Sequence, residues 1–211
     1  MNGYFVTGTD TNVGKTVLCA LLVAALDAVY WKPVQTGAQE GTDRESVRIW
    51  AGVDDEQLLP ERYLLDRPVS PHLAAREAGV QISLNSIEFP DTPAGAKLIV
   101  EGAGGVMVPI NERELMRDLM KHLGLPVIIA ARTVLGTINH TLLTIAALRE
   151  AKLNIRGVVM IGDENFENRR AIEHYGNVSV IGQIPVLKQI NRWALIDVFE
   201  KHFDRHAFNN P

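Results

Sequence analysis

A glycine-containing stretch near the start of the chain has the residue types and order of a phosphate-binding loop. It runs from Gly8 to Thr16 and ends in Gly14, Lys15 and Thr16. Glycines allow backbone N–H groups to converge on phosphate oxygens. The lysine reaches the β- and γ-phosphates, and the threonine hydroxyl can ligate Mg²⁺. The usual loop has four residues before Gly-Lys-Ser/Thr, whereas this loop has the five residues Thr9, Asp10, Thr11, Asn12 and Val13.

The sequence on either side of the loop favours a nucleotide site over a turn in which Gly-Lys-Thr occurs by chance. The apolar run from Tyr4 to Val6 predicts a strand before the loop, and the periodicity from Gly14 to Asp27 predicts a helix after it. The N-terminus of that helix adds its partial positive charge at the same place. The predicted nucleotide contacts are Asp10, Thr11, Asn12, Val13, Gly14, Lys15 and Thr16, and no role is assigned to Val17.

Two carboxylates further along the chain are candidates for a metal site. Glu101 follows an apolar strand, residues 97–100, and ligands bind at the carboxyl ends of the strands in open α/β sheets. Asp43 is either a second ligand on a neighbouring loop or only the cap of a helix. Oxygen ligands suit Mg²⁺, so Glu101 and Thr16 are candidates for one metal site, which Asp43 joins if it is not only a cap.

Lys32 is a second cation of interest. It ends the short apolar run from Ala28 to Trp31 and precedes Pro33. A lysine at a strand end is usually solvated, but we expect this strand to neighbour the loop strand, which would direct Lys32 at a transferred phosphate or a carboxylate. His72 and His140 lie near predicted helix starts, and we expect both to be structural.

Strands and helices alternate along the rest of the chain. Residues 35–41 are polar and predict a loop. Ser70-Pro71-His72 predicts a short helix with the proline in its first turn. The remaining predicted helices span residues 42–50, 112–123, 139–151 and 168–175, and the predicted strands span residues 97–100, 127–131, 157–161 and 178–181. This pattern predicts a doubly wound, mainly parallel α/β sheet of the P-loop nucleoside triphosphate hydrolase type, in a single domain over residues 1–211.

Composition narrows the class of protein. The chain has 211 residues, 46% of them hydrophobic, and a formal net charge of -4, which argues against a general nucleic-acid binder. The single cysteine, Cys19, lies on the apolar helix after the loop and is expected to be a buried core thiol. No apolar run is long enough to cross a membrane and no export signal is evident. We therefore expect a cytoplasmic protein without a membrane partner.

Taken together, these residues resemble the dethiobiotin synthetase family. The matching motifs follow the family's order and are spread over most of the chain. They are Gly8–Thr16 with the five-residue loop, Trp31–Gly37, Thr42-Asp43, Ser70–His72, Val100–Gly105, Gly136–His140 and Ile181–Pro185.

The resemblance implies an ATP-dependent cyclo-ligase of biotin biosynthesis. CO₂ would add to one amine of 7,8-diaminononanoate, ATP would phosphorylate the carbamate, and the second amine would close the ureido ring with loss of phosphate. Positioning and charge neutralisation dominate such a phosphoryl transfer. The implied catalytic residues are Lys15, Lys32 and Thr11, with Thr36 as a further polar contact and Thr16, Asp43 and Glu101 as Mg²⁺ ligands.

The resemblance also implies a homodimer. The carboxylate tail of the diamine would meet a helix start of the other subunit at Gly136, Thr137 and Asn139, and a helix N-terminus suits an anion. The chain departs from the family at Ile161-Gly162-Asp163, where many members carry Asn-Asp and the asparagine reads adenine. We therefore expect a looser or shifted nucleotide preference.

Three alternatives remain at this stage. A partitioning-type regulatory ATPase would use ATP as a switch, but it often carries a further lysine in the loop, which is absent before Gly14. Its membrane device would be the amphipathic segment of residues 192–203, which is diluted by acidic residues. An amide-forming ligase of corrinoid synthesis would need a glutaminase domain, for which the length leaves no room. An inactive nucleotide-binding module would not need Lys15, Thr16, Asp43 and Glu101 together.

Overall fold

The computed structural model describes residues 2–209, and a seven-stranded sheet is its central element. Every strand pair in this sheet is parallel. In spatial order its strands are β4 (Leu58–Leu59), β2 (Val29–Trp31), β6 (Leu98–Gly105), β1 (Gly3–Gly8), β7 (Val127–Arg132), β8 (Ile155–Ile161) and β9 (Val180–Ile184).

Helices cover both faces of the sheet and bury a separate apolar core on each side. In chain order they are α1 (Lys15–Leu26), α2 (Asp43–Ala51), α3 (Pro71–Glu77), α4 (Met116–Leu123), α5 (Thr137–Glu150), α6 (Phe166–Gly176) and α7 (Arg192–His202). Helices α1, α2 and α7 pack on one face, and α3 to α6 contribute to the core on the other. The fold is therefore the doubly wound α/β fold that the alternation predicts.

The continuous apolar runs form strands because both faces of each strand are covered. In β6, Leu98 and Val100 enter one core while Ile99 enters the other, and all three are fully buried. This arrangement brings the carboxyl ends of β1, β2 and β6 to one edge of the sheet. That edge is where the candidate site lies.

The structure corrects the expected position of Lys32. Strand β2, which precedes it, pairs with β6 and β4 and not with the loop strand β1. Hydrophobic patterns carry no information on the lateral order of strands, and a crossover can pass over a neighbouring position. Lys32 still reaches the same sheet edge, because β6 is the only strand between β2 and β1 among those described.

Local boundaries also differ from those expected. The predicted loop at residues 35–41 contains β3 (Val34–Thr36), which pairs in parallel with β5 (Tyr63–Leu65), and a short 3-10 helix, Ala38–Glu40. Short strands of this kind have too few residues for a periodic signal.

Two longer elements begin later than predicted, and one strand extends further. Strand β9 begins at Val180 instead of residue 178, and β6 continues beyond Glu101 to Gly105. Helix α4 begins at Met116 instead of residue 112, because Asn111 Oδ1 accepts hydrogen bonds from the backbone N–H groups of Arg113 and Glu114, both at 2.9 Å. Such a turn competes with the first turn of a helix.

The C-terminal helix α7 packs onto the domain. Its residues Leu195, Val198 and Phe199 are buried in the core that α1 also lines. Within residues 2–209, every helix is too short or too polar to span a membrane.

Candidate active site

The loop between β1 and α1 is closely packed around its two glycines. Asn12 has φ 55° and Gly14 has φ 97°, both in the left-handed region. A Cβ at position 14 would lie 2.9 Å from Ile161 Cδ1, and one at position 8 would lie 2.8 Å from the carbonyl oxygen of Asp10. Space requires glycine at Gly8, where the close atom belongs to the backbone, and the backbone conformation favours it at Gly14.

Lys15 is a cation held over its own loop. Its Nζ donates to the carbonyl oxygen of Asp10 at 3.2 Å, and its side chain is buried. Burial, together with repulsion from Lys32, lowers the pKa of Lys15 against the opposing attraction of Glu101. Lys15 forms no ion pair within residues 2–209. Its charge is therefore available to a phosphate.

A hydroxyl, two carboxylates and a second lysine meet beside Lys15. Thr16 Oγ1 lies 2.8 Å from Asp43 Oδ1 and 3.0 Å from Glu101 Oε1. A single hydroxyl proton serves one of these acceptors at a time. Lys32 Nζ forms an ion pair with Asp43 Oδ2 and lies 3.4 Å from Glu101 Oε1. Residues from α1, α2, β6 and the end of β2 thus build one cluster.

The ion pairs shift the titration of this cluster. Burial opposes the charged form of Lys32, but the charges of Glu101 and Asp43 outweigh it and raise the pKa of Lys32. Burial also opposes the charged form of Asp43, but Lys32 and the Thr16 hydroxyl outweigh it and lower the pKa of Asp43. Lys32 and Asp43 are therefore both charged over the neutral range.

Asp43 is placed by the start of α2 without being its cap. The cap is Thr42, whose hydroxyl accepts the N–H of Glu45 at 3.2 Å. The backbone N–H of Asp43 donates to Gln35 Oε1 at 3.1 Å, and Gln35 Nε2 donates to the Thr36 carbonyl oxygen at 2.6 Å. The side chain of Asp43 is consequently free to face Thr16. Sequence reasoning assigned no role to Gln35, although it lies in the matching motif.

Two further contacts were not predicted from the sequence. The phenol of Tyr30 on β2 donates to Glu101 Oε2 at 2.9 Å. Arg132, at the end of β7, donates from Nη2 to the carbonyl oxygens of Thr11 at 3.2 Å and Asn12 at 3.0 Å. An exposed arginine at a strand end and a tyrosine in an apolar strand give no functional signal in a single sequence.

The phosphate loop and the cluster around Thr16 open into a cleft of about 790 Å³. This volume is in the range of small-molecule sites, about 300–1,000 Å³. The loop contributes Thr11, Asn12, Gly14, Lys15 and Thr16 to its wall, and Lys32, Thr36, Asp43 and Glu101 also line it. Of the other predicted contacts, Val13 is buried beneath the loop, and Asp10 is exposed and accepts the Thr11 N–H at 2.7 Å. Val17 lines the cleft without a polar side-chain atom.

Comparisons with known proteins place this chain in a family. The family described as an AAA domain matches residues 2–194. A protein of Rhodopseudomonas palustris (strain HaA2) named ATP-dependent dethiobiotin synthetase BioD is 46% identical over 96% of this chain and 94% of its own length. The protein of that name from Paramagnetospirillum magneticum is 50% identical over 90% of this chain and 91% of its own. The chain belongs to the dethiobiotin synthetase family. The resemblance read from the motifs is confirmed.

The fold of this dethiobiotin synthetase family member extends to distant P-loop proteins. A crystal structure of a ParA family ATPase from Chlorobium tepidum TLS superposes with a TM-score of 0.51 and 12% sequence identity, covering 94% of this chain and 90% of the other. Likeness at this identity shows the P-loop fold alone. It therefore does not favour the partitioning-type alternative.

In this dethiobiotin synthetase family member, the start of α5 lies apart from the cleft wall. Gly136 and Asn139 are exposed, and Thr137 is buried with its Oγ1 donating to the carbonyl oxygen of Arg132 at 2.5 Å. None of the three lines the cleft that the described residues form. The expectation that they serve another subunit is not tested by one chain.

The segment Ile161-Gly162-Asp163, where we expect a changed contact with the nucleotide base, begins beside the phosphate loop. Ile161 ends β8 and packs beside Gly14, while Asp163 is exposed. The carbonyl oxygen of Gly162 accepts Gln183 Nε2 at 2.8 Å. An apolar side chain, Ile161, thus stands beside the phosphate loop.

The remaining candidates behave as side chains of the scaffold. Cys19 is fully buried on α1, as expected. His140 is exposed and His72 is half-buried, and neither lines the cleft among the described residues. The Nδ1 atom of His72 is buried without a hydrogen-bond partner among the described residues, so the structural role expected of the two histidines stays a prediction.

The residues predicted to hold Mg²⁺ fit such an ion chemically. Thr16, Asp43 and Glu101 all present hard oxygen donors of the kind that Mg²⁺ prefers. The carboxylates of Asp43 and Glu101 already lie within hydrogen-bond distance of the Thr16 hydroxyl. Within residues 2–209, no group of three or more His, Cys, Asp or Glu side chains is placed to hold a metal. A nucleotide-linked magnesium ion typically has one or two carboxylates and completes its shell with phosphate oxygens and water, which matches this sparse donor set.

Proposed function

We propose that this chain is an ATP- and Mg²⁺-dependent cyclo-ligase that converts 7,8-diaminononanoate and CO₂ to dethiobiotin with release of ADP and phosphate. The observation that carries the proposal is the joining of the phosphate loop to Lys32, Asp43 and Glu101 in one cleft. A simple nucleotide switch needs the loop and a metal ligand, but it does not need a second buried lysine held at the reacting end. The names of the relatives agree with this activity.

The proposed chemistry proceeds in three balanced steps. One amine of the substrate adds to CO₂ and loses a proton, which gives a carbamate. A carbamate oxygen then attacks the γ-phosphorus of ATP, and ADP leaves, which gives a carbamic-phosphoric anhydride. The second amine attacks the carbonyl carbon of that anhydride, and phosphate leaves with formation of the ureido ring and loss of a proton.

The two lysines supply most of what these steps need from the protein. Lys15 contacts the transferred phosphate, and Lys32 neutralises the carbamate and the same phosphate. Because Asp43 and Glu101 hold Lys32 in place, its charge is preorganised and costs little reorganisation during the reaction. Thr11 and Thr36 line the cleft and orient the substrate by hydrogen bonds.

Mg²⁺ would be held by Thr16, Asp43 and Glu101, and when bound it neutralises charge on the phosphates. The chain would act as a single P-loop ligase domain over residues 1–211 and as a homodimer. In that dimer, Gly136, Thr137 and Asn139 of one subunit would receive the carboxylate tail of the diamine bound to the other subunit.

Phosphate release from Mg-ATP by the purified protein tests the proposal. We expect release to require both bicarbonate and 7,8-diaminononanoate, with a ureido product identified by mass spectrometry. Lys121→Ala, on the exposed face of α4, should behave as the unaltered protein. It is the surface-lysine control for changes at Lys15 and Lys32. Phosphate release that ignores the diamine would refute the ligase proposal while leaving the phosphate loop in place.

A further inference from the structure

The two oxygens of Glu101 are held by different parts of the molecule. Oε1 faces the cleft cluster, where Thr16 Oγ1 lies at 3.0 Å and Lys32 Nζ at 3.4 Å. Oε2 points back into the sheet and accepts the Tyr30 phenol at 2.9 Å. The carboxylate is therefore fixed from behind as well as from the front.

The rear contact is rigid because nothing in it is exposed to water. Tyr30 is fully buried, and Glu101 is 1% exposed. Tyr30 lies on β2 in register with Ile99 of β6, two residues before Glu101. The strand ladder thus sets the position of the phenol relative to the carboxylate.

Without a rear donor, a carboxylate in this place has two ways to relieve its buried charge. It can rotate to share both oxygens with Lys32, or it can draw Lys32 deeper into the sheet edge. Either change removes Oε1 from the place beside Thr16. Loss of a partner that orients a ligating group typically weakens metal affinity about 10- to 100-fold.

We propose that Tyr30 is a positioning residue that keeps Glu101 Oε1 directed at the Mg²⁺-nucleotide site. The proposal rests on the proposed function only in that a magnesium nucleotide occupies the cleft. Tyr30 touches neither substrate nor metal and acts through Glu101. Its removal should therefore change the magnesium requirement of nucleotide binding and leave the phosphate loop's own affinity for nucleotide unchanged.

The test measures equilibrium binding of ADP to Tyr30→Phe by calorimetry at a series of Mg²⁺ concentrations. We expect half-maximal enhancement of binding to need about tenfold more Mg²⁺ than in the unaltered protein, while ADP affinity without the metal stays the same. Because no diamine or turnover is involved, the result is independent of the ligase reaction. Failure of the ligase assay and failure of this binding assay are therefore separate outcomes.

Tyr4→Phe is the matched control. Tyr4 is a fully buried tyrosine of the neighbouring part of the sheet, and its ring packs edge-on to Phe208 at 5.7 Å. We expect its loss to leave the magnesium requirement unchanged. An increase in both variants would indicate a general loosening of the core and would overturn the proposal.

A double-mutant cycle sharpens the assignment. In a Glu101→Gln background, Tyr30→Phe should add no further increase in the magnesium requirement, since the two changes act through one group. A magnesium requirement for Tyr30→Phe within about twofold of the unaltered protein, below the range for such partners, would refute the proposal.

Discussion

The phosphate end of the cleft is assembled from buried side chains of one chain, whereas the start of α5 is an exposed surface. At the phosphate end, Lys15, Lys32 and Glu101 are buried, and Thr16 and Asp43 are within hydrogen-bond reach of their neighbours. At the start of α5, Gly136 and Asn139 are exposed, and Leu135 beside them is 101% exposed.

This difference separates two kinds of functional residue. The carboxyl ends of adjacent parallel strands assemble the phosphate end within one fold, so its side chains already satisfy one another. The start of α5 presents a surface whose expected role requires a second copy of the chain. Substitutions at the two places should therefore differ in size and in their dependence on assembly.

The largest effect is expected at the phosphate loop. Lys15→Ala should lower phosphate release at least about 100-fold, because a preorganised cation at the transferred phosphate is lost. The domain should stay folded, since the Lys15 side chain donates only to the Asp10 carbonyl among the described contacts. Steady-state phosphate release measures the loss of activity, and far-UV circular dichroism shows whether the domain is folded. An unfolded Lys15→Ala protein would show that the side chain has a structural role.

The next effect concerns stability. Lys32→Met should cost about 3–5 kcal/mol of unfolding free energy, because it leaves Asp43 and Glu101 without their buried cation. Adding Glu101→Gln should recover part of that stability but none of the phosphate release. Urea unfolding followed by tryptophan fluorescence measures both. Equal stability of Lys32→Met and the unaltered protein would mean that the ion pairs contribute nothing to the fold.

The same pair predicts a pH dependence. Lys32 lowers the pKa of Asp43 in the folded state, so the pair stabilises the fold above the unfolded aspartate pKa of about 3.9. That contribution is lost as pH falls through the lower, folded value. The stability gap between the unaltered protein and Lys32→Met should therefore be full near neutral pH and should narrow below about pH 4. A gap that widens in acid would contradict this sign.

The start of α5 should respond through assembly. Asn139→Ala should raise KM for the diamine about tenfold, the size of one lost hydrogen bond to a charged group, and leave KM for ATP unchanged. If each site takes Lys15 from one subunit and Asn139 from the other, mixing Lys15→Ala with Asn139→Ala restores one intact site per mixed dimer, or about a quarter of full activity when the diamine is well below KM. Subunit exchange followed by activity assay measures this. A mixture no more active than its components would place Asn139 outside a shared site.

The smallest effect is expected at the nucleotide base. Ile161 has no polar side-chain atom, and the Gly162 carbonyl is already bonded to Gln183. We expect ATP to be preferred over CTP and GTP by less than about tenfold, since one base-reading hydrogen bond is missing. Competition between nucleotides in the phosphate-release assay checks this. Strong selectivity for ATP would show that other groups read the base.

Much of the fold and the site followed from local patterns. The Gly8–Thr16 loop lies between β1 and α1 as predicted, and Asp43 and Glu101 meet Thr16 as expected for their places. Strand order was only partly anticipated, because β6 separates β2 from β1. Short strands such as β3 escaped detection because they have too few residues for a periodic signal.

The sequence by itself determined the residues that can hold phosphate, the alternation of strands and helices, and the family. These depend on residue type, period and short spacings, which a linear chain records directly. Only the tertiary structure decided that Tyr30 stands behind Glu101, that Gln35 orients Asp43, and that Arg132 holds the loop. Each of these contacts joins elements that are brought together by strand order and packing. The residues next to them in sequence encode neither the strand order nor the packing.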